Sequence, residues 1–346
     1  MLKLAGLNIA IDLGTSKITA YVCGKGIVYK EANAIVLDTF NNKPIAFGDK
    51  AAEMLSKTPE TLELIMPMRS GTVSRFGVLS LMLEKIINDI CGYSILRPNV
   101  IISTPVGIPA PEKRTVVSLA CSACAAKVSL IDSPVASALG CGIKIDAPHG
   151  SMVVDIGAGT TDIAVLTMGE SAVFRSLYTA GDTMNEAIIQ YIKRNRGYDI
   201  GIPTAEKIKK TIGCAILPNE EIEMSVSGKE HTTGIPLTFS VTSTEIAEAL
   251  SDIVDLISKG IAEIFEETSP ELCSDIFSAG IILAGGGAKL SGLDTALSNK
   301  LNIPVKLMAD SENCAAKGAG YAFKYLKQLE DNGLSFRIRE QIDAVV

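Results

Sequence analysis

The sequence predicts an α/β protein made of two large lobes around a central cleft, each lobe carrying a small insert. Three observations predict it. A strand–Asp–Gly turn–strand unit, NIAIDLGTSKITAYV at residues 8–22, recurs as MVVDIGAGTTDIAVL at residues 152–166. Each copy opens a group of three strands that gives way to alternating helix and strand, once per half of the chain. The length of 346 residues exceeds one ordinary core, and 47% hydrophobic against 21% charged residues describes a well-buried chain.

The elements follow in order. Residues 8–30 read as strands punctuated by Gly14, Gly24 and Gly26, with Ile9, Ile11, Ile18, Ala20, Val22, Ile27 and Val28 as the apolar positions. Residues 31–75 form the first insert, with strands AIVLD and PIAFG and a short helix near 48–57. The lobe resumes in a helix near 76–91, where Phe76, Leu79, Leu83, Ile86, Ile87 and Ile90 keep helical spacing. NVIIST is a buried strand, PEKRTVVSLACSACAA a helix with proline near its start, KVSLID a strand and SPVASALGCG a helix.

The programme restarts near residue 150 with SMVVDIG, TDIAVLTM and SAVFRSLY. Asp182 is the expected N-cap of TMNEAIIQYIKRN, in which Met184, Ile188, Tyr191 and Ile192 share a face. The second insert, 179–245, holds a hairpin of EEIEMSV and PLTFSVT. Ser243 is the expected cap of a long amphipathic helix, STEIAEALSDIVDLISKGIAEIF. The strand AGIILAGGG, a helix, the strand PVKLM and a last helix from near Glu312 close the chain. The division this implies is 1–30, 76–145 and 312–346 for the first lobe with 31–75 inserted, and 146–178 and 246–311 for the second with 179–245 inserted.

Composition removes several function classes. The net charge of −7 with two histidines speaks against a nucleic-acid binder that relies on a basic surface. No apolar run approaches the roughly 18–20 residues of a membrane span. MLKLAG leads straight into the first strand and is too short for a signal peptide, which points to the cytoplasm. Most of the eight cysteines sit in apolar or helical stretches. Cys121 and Cys124 make a CxxC within such a stretch, and no second CxxC or histidine pair completes a zinc site, so packing is the expected role.

The chemistry concentrates in glycine turns. A glycine-bearing turn between strands exposes backbone N–H groups and lets a phosphate approach. Gly14, Thr15 and Ser16 offer amides and hydroxyls in the first copy, with Lys17 as a charge partner, and Gly157, Gly159, Thr160 and Thr161 do so in the second. Asp12 and Asp155 would repel phosphate directly, and make sense as ligands that hold Mg²⁺ through water. In AGGGAKLSGLDTAL, Gly285, Gly286 and Gly287 end a strand and precede a helix, which suits either a nucleotide-facing turn or a plain strand-to-helix corner. No GxxxxGK[ST] and no complete Rossmann fingerprint is present, so P-loop and NAD chemistry are not favoured.

Together these motifs resemble the actin-like ATPase superfamily, whose fold is a pair of duplicated ribonuclease H-like lobes around a nucleotide cleft. The resemblance narrows to the MreB family of bacterial cytoskeletal proteins through KGIVYKEANAIVLD, AFGDKAAEMLSKTPETLELIMPMRSGTV, STPVGIPAPEKR, GSMVVDIGAGTTDIAVLTMG, AGDTMNEAIIQYIKR, TAEKIKKTIG and SPELCSDI, in the family's order and over roughly residues 8–325. It implies ATP and Mg²⁺ as cofactors. Asp12, Gly14 and Thr15, with Ser16 and Lys17 beside them, match the first phosphate loop, and Asp155, Gly157, Gly159, Thr160 and Thr161 the second. Gly181, Asp182, Glu206 and Lys209 match the region lining ribose and adenine, and Gly285–Gly287 the nucleotide-facing turn. The family orients the attacking water with a glutamate in an IEEP-like segment. Here LIDSPVA places Asp132 at that position and Ser133 after it, which makes Asp132 and Thr161 the catalytic candidates, or leaves Asp132 as a cap of helix 134–142.

Two further departures mark a divergent paralogue: Lys17 replaces a small polar residue, and Ser70 and Arg75 in MRSGTVSRFG replace two acids. Ile95 and Leu96 in YSILRPNV match the family's hydrophobic membrane loop, or else close the core. The implied function is an ATP-regulated filament with slow hydrolysis, built head to tail from copies of the chain. It would lie at the inner face of the cell membrane and scaffold the cell-wall synthesis machinery for rod shape. The alternatives are a metabolite kinase or a non-polymerising regulatory ATPase of the same superfamily.

Overall fold

Ile9, Ala10 and Ile11 are all fully buried, so the strand Asn8–Leu13 is covered on both faces and belongs in the middle of a sheet. The computed structural model describes residues 6–55, 57–92, 96–145, 147–218, 220–325 and 337–338. In it Asn8–Leu13 lies between an antiparallel partner, Lys17–Val22, and a parallel one, Asn99–Thr104. Gly26–Ala32 extends the sheet on one side and Lys127–Asp132 on the other, with Arg337–Ile338 added antiparallel at that edge.

The second sheet repeats this order. Ser151–Ile156 sits between antiparallel Thr161–Thr167 and parallel Ile281–Ala284, flanked by Glu170–Leu177 and Val305–Leu307. Asp12 and Asp155 therefore occupy equivalent strand ends, and the duplication read from the sequence is a duplication of topology.

Two short helices join the lobes. Ser133–Gly140 follows the last parallel strand of the first lobe, and Cys314–Ala322 follows that of the second. They cross at glycines: a Cβ on Gly318 would collide with the Ala136 carbonyl, and one on Gly140 with that of Cys314. Cys141 Sγ and Cys314 Sγ lie 3.3 Å apart at the same crossing. One apolar cluster joins Ala10 and Ile101 from the first sheet, Val153, Ala164 and Ala284 from the second, and Val135, Ala136, Ala315 and Ala319 from the crossing helices. Small residues here let two backbones approach closely, so the cleft has a tight floor.

The inserts carry their own small sheets. One orders Pro44–Phe47, Ile35–Asp38 and Leu62–Ile65, and the other Tyr198–Asp199, Glu223–Glu230 and Pro236–Thr242. A two-stranded ribbon, Met68–Arg69 with Thr72–Val73, has no counterpart in the sequence reading. Its turn residues Ser70 (φ 48°) and Gly71 (φ 74°) both have positive φ, as a two-residue hairpin turn of type I′ requires.

Local corrections have physical causes. The helix Gly181–Arg196 starts one residue before Asp182, which therefore stands in its first turn. Ala180 holds the N-cap position, and its N–H donates to Thr183 Oγ1 at 2.8 Å. Thr242, not Ser243, caps Ser243–Glu267, in a reciprocal box with Glu245. Ser243 Oγ accepts instead from the Ile222 N–H at 2.9 Å. The glycine run leads into a 3₁₀ turn, Gly287–Lys289, and the next α-helix begins only at Leu293. Phe76, placed on an apolar face by spacing, is 45% exposed.

Candidate functional site

Two carboxylates face the floor of the cleft, Asp155 buried and Asp12 half-buried. Asp12 pairs in register with Ser103 of the neighbouring parallel strand, whose Oγ donates to Asp12 Oδ1 at 2.5 Å. Ser137, on the crossing helix of the first lobe, donates to Asp155 Oδ2 at 2.5 Å. Burial raises the Asp12 carboxyl, and the Ser103 hydrogen bond offsets part of that rise. Burial also raises Asp155, against the Ser137 hydrogen bond, and the charges of Asp12 and Asp162 add to it, so that Asp155 reaches about 8. Among the described residues each carboxylate has a serine donor, and no cation is among the causes that set its carboxyl.

That donor set suits a divalent cation. Mg²⁺ takes hard oxygens, keeps much of its water and is held by one or two carboxylates plus phosphate. Among the described residues no three of His, Cys, Asp and Glu come close enough to hold an ion by themselves, so remaining ligands would be water and phosphate. Asp12 and Asp155 fit the role that their types and spacing suggest.

Above them opens a cleft of about 550 Å³ lined by both turns. Gly14, Thr15, Ser16 and Lys17 line one side, and Gly157, Gly159 and Thr160 the other. The turns touch. A Cβ on Gly159 would strike Thr15 Oγ1, and would come within 2.9 Å of Ser70 Cα. Thr15 Oγ1 in turn accepts from the Gly71 N–H at 3.0 Å, which draws the Ser70–Gly71 hairpin over the same end. Asn33 Nδ2 donates to the Gly14 carbonyl at 2.9 Å. The second turn is tied down by its own helix: the Gly181 N–H donates to Gly157 O at 3.1 Å and the Asp182 N–H to Ala158 O at 2.8 Å.

The wall beyond the turns is polar. Lys209 Nζ lies 2.7 Å from Glu206 Oε2 and donates to the Gly181 carbonyl at 2.8 Å. Lys210 takes the other Glu206 oxygen at 2.8 Å, and Asn185 Nδ2 donates to Oε2 at 2.8 Å. Burial would raise the Glu206 carboxyl, but the hydrogen bonds from Lys209 and Lys210 outweigh it and pull it down to about 2. Burial raises Asp182, with Lys209 opposing. Gly285, Gly286 and Gly287 complete the lining. Gly285 has φ of 84°, and a Cβ there would run into the Asp155 carboxylate and the Ile156 carbonyl, so glycine is required twice over. At the mouth Lys30 ties the strand Gly26–Ala32 to the turn that follows the second sheet, 3.0 Å from Glu312 Oε1 and 2.9 Å from Asn313 Oδ1.

The structure thus brings Asp12, Asp155 and all the nucleotide-binding candidates to one cleft. It does not bring Asp132 or Thr161 to the cleft wall. Thr161 is fully buried, and its Oγ1 donates to the Thr179 carbonyl at 2.6 Å. Asp132 sits at the N-cap position of Ser133–Gly140 without a side-chain capping bond. Its carboxyl is raised by burial and lowered by the nearby charge of Lys113. Ser133 is the residue of that pair on the wall. Cys121 packs in the core of the first lobe. Ile95 lies outside the described residues, and Leu96 is 36% exposed. Sequence reasoning missed Ser103, Ser137, Asp162 and the Lys30–Glu312 bridge. The first two are ordinary serines within apolar elements, and only the fold sets them against an aspartate.

Comparison with known proteins agrees with this geometry. The family model described as MreB/Mbl protein matches residues 6–331. Cell shape-determining protein Mbl of Bacillus subtilis (strain 168) is 36% identical over 329 residues, covering 95% of this chain and 99% of Mbl. Cell shape-determining protein MreB of Escherichia coli (strain K12) is 38% identical over 325 residues, covering 92% and 94%. Among solved structures, MreB5 of Spiroplasma citri bound to ADP superposes with a TM-score of 0.90 at 31% identity, covering 94% of this chain and 99% of that one. The MamK double helical filament gives 0.79 at 20% identity, covering 92% and 98%, a likeness of fold. With the actin-like ATPase fold in place and the match running through nearly the whole chain, this protein belongs to the MreB/Mbl family of actin-like cell-shape proteins.

Proposed function

We propose that this chain is a nucleotide-dependent, membrane-associated filament protein that scaffolds cell-wall synthesis and rod shape, with ATP and Mg²⁺ as its ligands. The observation that carries the reading is the convergence of both Asp–Gly turns and the Gly285–Gly287 run on one cleft between the lobes. MreB5 of Spiroplasma citri has been solved with ADP and with AMPPNP, which supports an adenine nucleotide here.

The residues divide the work. Backbone N–H groups and hydroxyls of Gly14, Thr15, Ser16, Gly159 and Thr160 offer donors to a polyphosphate from both lobes. Lys17 adds a positive charge on the first side. Asp12 and Asp155 would hold magnesium through water, and the ion would supply neutralisation of phosphate charge. Glu206, fixed as an anion by its two lysines, presents a rigid polar wall to a ribose or base. A ligand gripped by both turns ties the lobes together, so nucleotide state can set lobe angle and with it the surface offered to the next copy.

Self-association is supported by the kinship with filament formers and by apolar side chains exposed on both inserts, Phe40 at 83% and Leu217 at 66%. Membrane association rests on Leu96 in the loop before Asn99–Thr104 and on many weak contacts adding along a filament. No helix among the described residues is long and apolar enough to cross a membrane, so attachment would be peripheral.

Light scattering tests the reading. With Mg-ATP the signal is expected to rise above a critical concentration, and Asp155→Ala to abolish the rise. A chain that stays monomeric in Mg-ATP and phosphorylates a small alcohol would instead be a kinase. A monomeric chain that only hydrolyses ATP would be a regulatory ATPase.

A further inference from the structure

Two cysteines meet where the lobes are joined. Cys141 stands at the C-terminal end of the helix Ser133–Gly140, and Cys314 is the first residue of the helix Cys314–Ala322. The Cys141 thiol donates to Cys314 Sγ at 3.3 Å, and Cys314 passes its own S–H to the Asp310 carbonyl at 3.3 Å. Sulfur is a weak acceptor, and Cys23, Cys214 and Cys273 each send their S–H to a backbone carbonyl instead. Close packing does not explain the pair. The crossing asks for small residues, and Ala136, Gly140, Ala315 and Gly318 already meet that need.

The backbone is placed for a bond between the two sulfurs. A Cβ on Gly140, the neighbour of Cys141, would lie 2.9 Å from Cys314 Cα. Cysteines whose backbones stand apart cannot be bridged without moving the chain, and these two start from backbones in contact. Cys141 is half-buried and Cys314 buried, so a small uncharged oxidant has a way in at Cys141. The bond would close residues 142–313 into one loop, which holds every strand of the second sheet and the whole second insert. It would therefore fasten the second lobe at its base, against the helix that ends the first sheet.

We propose that Cys141 and Cys314 are a redox pair, which a peroxide-class oxidant joins into a disulfide that fastens the two lobes at their crossing. The step balances. One sulfur attacks a peroxide oxygen, the O–O bond breaks, and a sulfenic acid forms while hydroxide leaves with that thiol's proton as water. The second sulfur attacks the sulfenic sulfur, the S–OH bond breaks, and a second water carries off the second thiol proton. The sulfurs lose two electrons between them and the peroxide gains them. Either sulfur can react first, because its partner waits 3.3 Å away and intercepts the sulfenic acid before further oxidation. Small thiols reverse the bond by exchange. Since the crossing helices join the lobes, a covalent bond between them resists opening of the cleft.

The test treats the full-length chain with hydrogen peroxide and compares it with the reduced chain and with Cys141→Ser. Peptide mapping without reduction reads the linkage, and melting of the nucleotide-free chain reads the joint. Stopped-flow release of a fluorescent ATP analogue reads cleft opening, and this readout alone rests on the nucleotide reading of the cleft. Oxidation is expected to yield a peptide joining Cys141 to Cys314, and to raise the melting temperature by about 4 °C or more. Release of the analogue is expected to slow several-fold. Dithiothreitol should reverse all three changes, and Cys141→Ser should show none, with Cys314→Ser in its place if that variant does not fold. Free thiols at both positions after oxidation overturn the proposal. So does a rise in melting that persists in Cys141→Ser, or a linked chain that melts and releases analogue like the reduced one. A linked and stabilised chain that binds no analogue upholds the redox pair and overturns the nucleotide reading instead.

Discussion

Gly318 packs directly against the backbone carbonyl of Ala136, and through that contact the two helices that close the lobes touch backbone to backbone. A methyl group at Gly318 has nowhere to go, because the obstacle is backbone and not the end of a flexible side chain. Alanine is the better helix former by about 1 kcal/mol, yet the overlap should dominate. Gly318→Ala is expected to lower stability by about 2 kcal/mol or more, read as a lower urea midpoint. Gly77, in an exposed helix turn with open space around its Cβ position, provides the contrast. Gly77→Ala should leave the midpoint unchanged or raise it.

The paired acids at the cleft floor give a prediction about metal. If Asp12 and Asp155 hold magnesium between them, nucleotide affinity should depend on the ion in the wild type and lose that dependence in Asp155→Asn. Titration of ADP by calorimetry, with magnesium and then with excess chelator, reads this directly. Removal of magnesium is expected to weaken wild-type binding by about tenfold or more, and to change the variant little. Equal magnesium dependence in both proteins would remove Asp155 from the metal site.

How much of this was legible beforehand depended on whether a feature was local. The two Asp–Gly turns stood out because aspartate and glycine between apolar runs are unfavourable in a strand interior and need a reason. The lobe repeat followed from them. Caps failed by one residue where two candidates were adjacent, as with Thr242 and Ser243, since both side chains suit the position and only geometry chooses. The ribbon around Ser70–Gly71 was invisible because strands of two residues carry no periodicity. Ser103 and Ser137 could not be found because their partners stand on other elements, 91 and 18 residues away, and only the packing of strand and helix brings them together. Asp162 left a faint signal: laying the two hairpins over each other sets an acid against Thr19.

Glu206 predicts a pH dependence with a definite sign. Its hydrogen bonds to Lys209 and Lys210, working against burial, hold the folded-state carboxyl down at about 2. A depressed carboxyl stabilises the fold above its unfolded value of about 4.3, and that contribution disappears as pH falls toward about 2. The melting-temperature difference between wild type and Glu206→Gln should therefore be flat from pH 6 to pH 8, and shrink steadily below about pH 4.3. A difference that grows on acidification would mean that the carboxylate is not held ionised by its lysines. Because Glu206 is partly exposed, the effect is expected to be modest.

The Lys30–Glu312 bridge makes the last case, since it spans the mouth and not the core. Lys30 belongs to the strand Gly26–Ala32 of the first lobe, and Glu312 to the 3₁₀ turn Ser311–Asn313 that follows the second sheet. The Lys30 hydrogen bond is the main reason that the Glu312 carboxyl lies below its usual range, with burial opposing and Lys289, at 3.5 Å, adding to the effect. As a half-exposed ion pair it contributes about 0–1 kcal/mol to stability. Its position matters more than its strength, because Lys30 and Glu312 both line the cleft and the pair closes one side of the mouth a ligand must pass. Lys30→Ala should therefore leave the melting temperature almost unchanged while speeding release of a fluorescent nucleotide several-fold in stopped flow, about the factor expected from losing up to 1 kcal/mol at the mouth. Added salt should speed release from the wild type toward the variant's rate, because it screens the same pair. Identical release rates at low salt would show that the mouth opens elsewhere.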